Sequence, residues 1–267
     1  MAKLKKAIHE IHNLENLAER DLWLNRLHPL SKVFVTIWYL ALVMSFDKMD
    51  ITGLLLMSLY PVIIMILGDI SIRQAFKRLA PVFLMIGLIG AANPVFDRRP
   101  CFLIGEMTVT AGMVSMTTLF LKTVFAAAAS YILIASTTME QVCYALRKLR
   151  MPRILVTVFL LIYRYLVLML KEADRITQAY SLRAPKERGI GKRAWGSLAG
   201  QMLLRSMDRA QTVYDAMMLR GFCGEFFLSS EEYPASARQS ICYGAFWGMA
   251  LAVLRFVPVL EFAENLF

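Results

Sequence analysis

"MVSMTTLFLKTVFAAAASYILIA" occupies residues 113–135 and contains one charged side chain, Lys122. A helix of that length can cross the hydrocarbon core of a bilayer, which takes about 20 mainly apolar residues. The whole composition agrees, because 58% of the 267 residues are hydrophobic and 19% are charged. The mean hydropathy is +0.52, whereas soluble domains carry roughly 25% charged residues. These features predict an all-α membrane protein.

Four further runs have the composition of spanning helices. Three precede the quoted segment and one lies near the C-terminus: 30–46, 51–67, 79–96 and 240–260. Prolines inside them are tolerated, because neighbouring helices can satisfy the freed backbone groups. Together with 113–135 they predict a polytopic protein with about five transmembrane helices.

Basic residues predict how the chain is oriented. The net charge is +10, and cytoplasmic loops of membrane proteins carry an excess of Lys and Arg. No soluble module of the kind that binds nucleic acid accompanies this charge, so no nucleic-acid partner is expected. The pattern predicts a cytoplasmic N-terminal segment 1–29, helices 1–4 in 30–135, a cytoplasmic helical region 136–239 and a C-terminal transmembrane helix in 240–267.

Residues 153–170, "RILVTVFLLIYRYLVLML", fit two placements. The segment is apolar enough to span, but Arg164 lies near its middle, and a central arginine costs about 2.5–3.5 kcal/mol on insertion scales. A crossing here would also put the strongly basic residues 171–220 outside, against the positive-inside rule. We therefore interpret 153–182 as one long helix on the cytoplasmic face, with a crossing as the alternative.

Two helices of the cytoplasmic region end on an arginine that a helix-stopping residue follows. Gly221 comes after Arg220, as glycine often does just past a helix end. Pro185 disfavours the α conformation at Ala184, so the earlier helix should stop near Arg183. One apolar stripe with spacings of three and four runs along the second helix, residues 201–220: Leu203, Met207, Ala210, Tyr214 and Met217.

Each arginine taken singly is an ordinary helix cap. Cations near a helix C-terminus are worth about 0.3–1 kcal/mol. Two such arginines on cytoplasmic helices also suit docking to a partner, because a guanidinium can bind a carboxylate through two parallel hydrogen bonds.

The residues around these arginines resemble the T component of energy-coupling factor (ECF) transporters, the EcfT/CbiQ family. Its members end two cytoplasmic coupling helices with short X-Arg-X signatures. The matching positions are Leu182-Arg183-Ala184 and Leu219-Arg220-Gly221, and the likeness extends to "RLHPLSKVF", "EADRITQAYSLRAP" and "LLRSMDRAQTVYDAMMLRGF". The first signature reads Leu-Arg-Ala rather than Ala-Arg-Gly, which departs from the family at the end of that helix.

This resemblance implies a non-catalytic subunit in the plasma membrane of a prokaryote, with 136–239 as a helical coupling region. A T component connects two ABC ATPase subunits to a membrane-embedded substrate-binding S component. Arg183 and Arg220 would each dock on one ATPase. Methionines suit adaptable surfaces, and four would contact the S component: Met202, Met207, Met217 and Met218. Packing between the coupling helices is the alternative role for them.

The cobalt-type CbiQ branch is the most similar, which implies cobalt or nickel ion as cargo, with a vitamin as the other possibility. The sequence has no G-x-x-x-x-G-K-[ST] loop, so ATP hydrolysis is expected in partner subunits and no cofactor is expected. His9 and His12 form an H-x-x-H pair without a third ligand, so no metal site is predicted there.

Two other functional classes remain to be compared. A self-contained secondary permease is the alternative function, and it predicts paired polar groups near the midplane and broken helices in inverted halves. A membrane-embedded enzyme needs clustered acidic or histidine residues. Lys122 and Arg255 lie within predicted spans, where a charge can line a substrate route or pair with an acid. It can also reach the interface and pack there.

Overall fold

A computed structural model of the chain describes residues 2–20, 22–47, 50–90, 92–93, 100–104, 107–185, 190–224 and 237–256. In chain order its elements are α1 (Ala2–Ala18), α2 (Trp23–Arg26), α3 (Pro29–Met44), α4 (Ile51–Leu56), α5 (Leu59–Leu67), α6 (Ile72–Gly90), β1 (Pro100–Ile104), β2 (Met107–Thr110), α7 (Ala111–Ser136), α8 (Met139–Lys148), α9 (Arg153–Arg183), α10 (Lys192–Leu219) and α11 (Ala237–Phe256). Helices dominate, as the composition predicts, and β1 and β2 form one short antiparallel hairpin.

The chain divides into two compact units. Unit 1 comprises Met1–Leu17 and Thr138–Ser230, and unit 2 comprises Ala18–Thr137 and Glu231–Phe267. Unit 2 therefore contains the predicted membrane helices. Unit 1 contains α8, α9 and α10, the helices of the predicted coupling region.

Three predicted spans match single helices. The runs 30–46, 113–135 and 240–260 coincide with α3, α7 and α11 to within a few residues, although 257–260 lie outside the described residues. The run 79–96 begins inside α6, as the apolar helix Leu79–Gly90, and residues 91 and 94–96 lie outside the described residues. The helix itself starts earlier, at Ile72, and so includes Arg73 and Lys77.

The predicted span 51–67 is broken in the middle. The chain turns at Met57 and Ser58, so α4 and α5 are separate helices. The Tyr39 hydroxyl of α3 donates to the Met57 carbonyl at 3.0 Å. Both residues are fully buried, and a buried carbonyl freed by a helix break needs such a partner.

Length and composition show which helices could cross a bilayer. Within the described part of the chain, two helices pass that test, α7 and α9. Pro29–Met44, Ile51–Leu67 and Leu79–Gly90 are shorter apolar helices. Since α9 includes 153–170, its apolar length suits a crossing, while the surrounding charges favour the cytoplasmic face. The cytoplasmic placement stays a prediction.

Aromatic side chains form the centre of unit 2. The rings of Tyr39 and Tyr60 lie 4.7 Å apart between centroids, and Tyr60 lies 5.0 Å from Trp247. All three residues are buried. They come from α3, α5 and α11, so this column of rings joins the first, second and last predicted spans.

Two charged side chains within predicted spans bond to the same helix end. The Lys122 ammonium donates to the Phe46 carbonyl. The Arg255 guanidinium donates to the Ser45 carbonyl at 3.0 Å and lies 4.3 Å above the Phe46 ring. The last carbonyls of a helix lack intrahelical partners, and cations are favoured there. Of the roles left open for them, these contacts support helix packing.

The Tyr39–Met57 bond gives a first test of the fold. Tyr39→Phe should lower the free energy of unfolding by about 1–3 kcal/mol, because it leaves a buried carbonyl without its donor. Thermal unfolding in detergent measures the change. Tyr214→Phe removes the same atom from a side chain that is 54% exposed and should leave the melting temperature unchanged. Equal melting temperatures for both variants would contradict the assignment.

Candidate functional site

The α8–α9 hairpin is shaped by a hydrogen-bonded cap at the start of α8 and by a left-handed residue after its end. Thr138 and Gln141 form a reciprocal capping box with both bonds at 3.3 Å, which satisfies two amides at the helix start. After α8, Arg150 has a left-handed backbone with φ 64°, a conformation that favours glycine. Cys143 is fully buried, and that burial, with a smaller effect of Glu140, raises the pKa of its thiol.

The helix that carries Arg183 stops where the sequence predicts. The last helical residue of α9 is Arg183, and Ala184 follows with φ −125° and ψ 63°. Pro185 disfavours the α conformation at Ala184 for steric reasons. Leu182 is 83% exposed, Arg183 is exposed and Ala184 is half-buried. The first signature therefore lies at the surface of unit 1.

The helix that carries Arg220 ends on a glycine cap, also as predicted. Gly221 has φ +77°, its amide donates to the Met218 carbonyl at 3.0 Å, and the Phe222 amide donates to the Met217 carbonyl at 3.1 Å. This bonding pattern is the Schellman motif. Leu219 is 90% exposed and Arg220 is exposed, so the second signature also lies at the surface.

The start of α10 differs from the sequence prediction. The proline and three glycines of 184–196 predict a turn between the two helices, but α10 begins at Lys192, with Gly191 as its N-cap. Residues 192–196 are therefore helical, and α10 is nine residues longer at its start than the predicted 201–220. The Gly191 amide donates to the Tyr180 hydroxyl at 3.4 Å, which ties the start of α10 to α9.

A groove of about 590 Å³ lies between α9 and α10, and Arg183 lines it. Its other charged lining residues are Glu172, Arg175 and Arg205. Glu172 pairs with Arg205, and with Arg175 at 3.6 Å. The arginine side chains in these pairs are more than half exposed, so each pair contributes at most about 1 kcal/mol. Three guanidiniums against one carboxylate make the groove positive.

The sequence analysis selected Arg183 without its neighbours in this groove. The signal that could have found them is helical spacing, because Glu172, Ile176, Ala179 and Arg183 recur every three or four residues. Their partner on α10, Arg205, depends on how the two helices pack. No pattern within α9 reveals it.

One exposed face of α10 carries apolar side chains that nothing in the described chain covers. None of the described side chains of α10 is buried. Along the predicted stripe, Leu203 is 61% exposed, Met207 53% and Tyr214 54%. Met217 is half-buried. Contiguous exposed apolar side chains on a folded protein mark interaction sites.

The four methionines predicted to contact a partner lie on two faces of α10. Met207 and Met218 are half or more exposed, whereas Met202 and Met217 are half-buried. Residues five apart on a helix of about 3.6 residues per turn differ by more than a third of a turn. The four side chains therefore do not form one patch.

His9 and His12 are both exposed on α1. The His12 ring lies 3.9 Å from a carboxylate oxygen of Glu15, and Glu15 also accepts a 2.6 Å hydrogen bond from the Tyr163 hydroxyl of α9. No group of three or more His, Cys, Asp or Glu side chains that could hold a metal ion occurs in the described ranges.

Comparison with known proteins identifies the family. The sequence model of the family described as "CbiQ: Cobalt transport protein" matches residues 21–231, from just before α2 to beyond α10. This chain belongs to the CbiQ family of cobalt transport proteins. The cobalt transport protein CbiQ of Salmonella typhimurium (strain LT2) is 27% identical over 159 residues, which cover 55% of this chain and 68% of that protein.

The match confirms the resemblance drawn from the arginine signatures, and both signatures lie inside it. Membership of this family, together with the apolar helices, makes the chain a component of a membrane transport system.

The glycine cap predicts opposite effects for two substitutions in one helix. Gly221→Ala should destabilise the end of α10 by about 1–2 kcal/mol, because a Cβ is unfavourable at a left-handed φ. Gly200→Ala should instead stabilise the helix by about 0.5–1 kcal/mol, since nothing lies within 4 Å of the added carbon. Amide hydrogen exchange over 215–222 measures the first change, and exchange over 197–204 measures the second. Slower exchange in Gly221→Ala would contradict the cap.

Proposed function

We propose that this protein is the T component of an ECF-type ABC importer. It transmits the motion of two partner ATPase subunits to a substrate-binding S component in the membrane. Its role is mechanical rather than catalytic, and ATP is hydrolysed in the partners. The observation that carries the proposal is the pair of surface arginines, Arg183 and Arg220, at the C-terminal ends of two helices in a transport-protein family.

The ends of α9 and α10 suit insertion into a partner. Each arginine is exposed and directly follows a leucine that is more than 80% exposed. An exposed leucine beside a guanidinium offers an apolar contact next to a group that can donate a bidentate hydrogen bond to a carboxylate. Each tip, Leu182-Arg183-Ala184 and Leu219-Arg220-Gly221, would engage one ATPase. An acidic groove on each ATPase would complement them.

The exposed apolar surface of α10 is the proposed contact for the S component. Met207 and Met218 are the better candidates, because they lie beside Leu203 and Tyr214 on the uncovered part of the helix. Met202 and Met217 are half-buried and suit packing within the coupling region. This division keeps both roles that the sequence left open for the four methionines.

The proposed cargo is cobalt ion, after the description of the family and of its Salmonella member. Nickel ion or a vitamin would be selected by a different S component. The protein is proposed to cross the plasma membrane several times with unit 1 on the cytoplasmic side. The excess of basic residues in unit 1 supports that orientation.

The broken segment α4–α5 bears on the secondary permease, the alternative function. A permease uses a helix break to offer backbone carbonyls to its substrate. Here the Met57 carbonyl at the break is buried and accepts the Tyr39 hydroxyl. That bond seals the break against cargo, which favours the coupling function over the permease.

Co-purification tests the coupling function. Wild-type protein, tagged and expressed with the neighbouring ATPase and S-component genes, should recover the ATPases. The double variant Arg183→Glu with Arg220→Glu reverses the charge at both tips and should weaken their binding to the ATPases. Disrupting a close charge pair costs about 2–5 kcal/mol, so recovery should fall at least about ten-fold.

Arg209→Glu is the matched control. Arg209 is an exposed residue of α10 and lies away from either tip. Reversing its charge should therefore leave the recovery of ATPase unchanged. Wild type that recovers no ATPase, or a double variant that recovers as much as Arg209→Glu, would contradict the proposed function.

A further inference from the structure

A buried lysine lies in the first turn of α3. Lys32 is 2% exposed. Its ammonium donates to the Ser136 carbonyl at 2.7 Å and to the Asn25 carbonyl at 3.2 Å. No ion pair to Lys32 occurs among the described residues. The amino group of Lys32 is therefore held in the interior of unit 2 by two neutral carbonyls.

Such an arrangement is a poor way to gain stability. Removing an ammonium from water is costly, and an apolar side chain of similar size at a buried charged position is often neutral or better. Buried ionic groups can instead fix one conformation among several. Lys32 is therefore better explained as fixing the positions of neighbouring segments. Its two acceptors, the Ser136 and Asn25 carbonyls, show which segments these are.

The acceptors lie where the chain passes between the units. It crosses from unit 1 to unit 2 after Leu17, returns after Thr137 and crosses again after Ser230. Ser136 is the last residue of α7, one residue before the second crossing. Lys32 thus holds the end of the helix that leads into the coupling region.

Two further hydrogen bonds lie at the other two crossings, and the first of them is joined to Lys32 through Asn25. The Asn25 side chain donates to the Ala18 carbonyl at 3.1 Å, at the first crossing. The His28 amide donates to the Ser240 hydroxyl at 3.0 Å, on the first turn of α11 after the third crossing. We call this set of residues, which lies wholly within unit 2, the junction network: Ala18, Asn25, His28, Lys32, Ser136 and Ser240.

We propose that Lys32 is a positioning residue that holds the unit 2 ends of the first two crossings, at Ala18 and Ser136, in one rigid arrangement. Displacement of unit 1 is then passed into unit 2 rather than lost in fraying of α7. The inference rests on the proposed coupling function, because it assigns Lys32 to the transmission step. Without the Lys32 amino group, the buried Ser136 carbonyl loses its 2.7 Å donor, so the last turn of α7 opens more often.

Lys32→Met tests the role, since methionine keeps an unbranched apolar stem and removes the charge. In the complete complex in proteoliposomes, ATPase recovery and ATP hydrolysis should stay near wild type. Uptake of radioactive Co²⁺ per ATP hydrolysed should fall at least about five-fold, the size of a lost coupling free energy. A residue that serves stability alone lowers the amount of complex without changing this ratio.

Thr36→Val is the matched control. Thr36 lies one turn further along α3, is 4% exposed and donates to the Lys32 carbonyl at 2.8 Å. The control should keep the wild-type ratio of uptake to hydrolysis. Amide hydrogen exchange of the chain alone should be faster over 133–137 in Lys32→Met than in Thr36→Val, and this readout needs no ATPase.

The outcomes separate the two proposals. If wild type assembles and Lys32→Met keeps the wild-type uptake per ATP, the role of Lys32 is overturned while the coupling function stands. Unchanged exchange over 133–137 overturns it as well. If wild type recovers no ATPase, the coupling function itself fails, and the role of Lys32 fails with it.

A folding defect is handled by a second variant. If Lys32→Met is not recovered as a monodisperse protein, the same measurements are made on Lys32→Gln, whose shorter amide can serve at most one of the two carbonyls. A normal ratio in Lys32→Gln overturns the proposal, and a reduced ratio supports it. Loss of both variants would show that Lys32 serves folding alone, which also overturns it.

Discussion

Backbone carbonyls at helix ends and breaks impose the central constraint on unit 2. In an apolar environment every such group needs a partner inside the protein. The structure supplies these partners from other helices. Tyr39 bonds to Met57 at the α4–α5 break, Lys122 and Arg255 bond to the last carbonyls after α3, and Lys32 bonds to the end of α7. These polar and charged side chains within apolar runs thus join one helix to the backbone of another.

Unit 1 follows a different rule. Its helices α9 and α10 are joined by the Glu172–Arg205 ion pair beside an open groove, and α10 buries none of its described side chains. A helix with so little intramolecular packing gains its stability from length, caps and partners. Such a surface is suited to being covered by other subunits. The well-packed unit 2 and the exposed surface of unit 1 therefore agree with the proposed function, in which unit 2 lies in the membrane and unit 1 contacts partner subunits.

Local signals in the sequence were enough for the parts of the structure that depend on neighbouring residues alone. Pro185 and Gly221 predicted where α9 and α10 end, and both ends were confirmed. The apolar runs gave the location of α3, α7 and α11. The apolar run 79–96 does not show that α6 begins at Ile72, because Arg73 and Lys77 lower the hydropathy of its first turns, although long cationic side chains extend from helices without difficulty.

Features that need a distant partner were out of reach of the sequence. Pro61 lacks the amide that would bond to the Met57 carbonyl within a continuous helix, and the donor that replaces it, Tyr39, is 18 positions away from Met57. The groove beside Arg183 needs Arg205 of a second helix. Lys32 escaped notice because a window of hydropathy averages one lysine into its apolar neighbours, while its significance comes from Ser136, 104 positions later.

The division of the chain also bears on how such proteins can be recombined. Most of unit 1 is one continuous stretch, Thr138–Ser230, inserted into unit 2. A chimera that exchanges this stretch between family members keeps the junction network of its host, since all of that network belongs to unit 2. The stretch is not self-sufficient, however, because Tyr163 donates to Glu15 of α1. A chimera that preserves this contact therefore exchanges α1 together with the inserted stretch Thr138–Ser230.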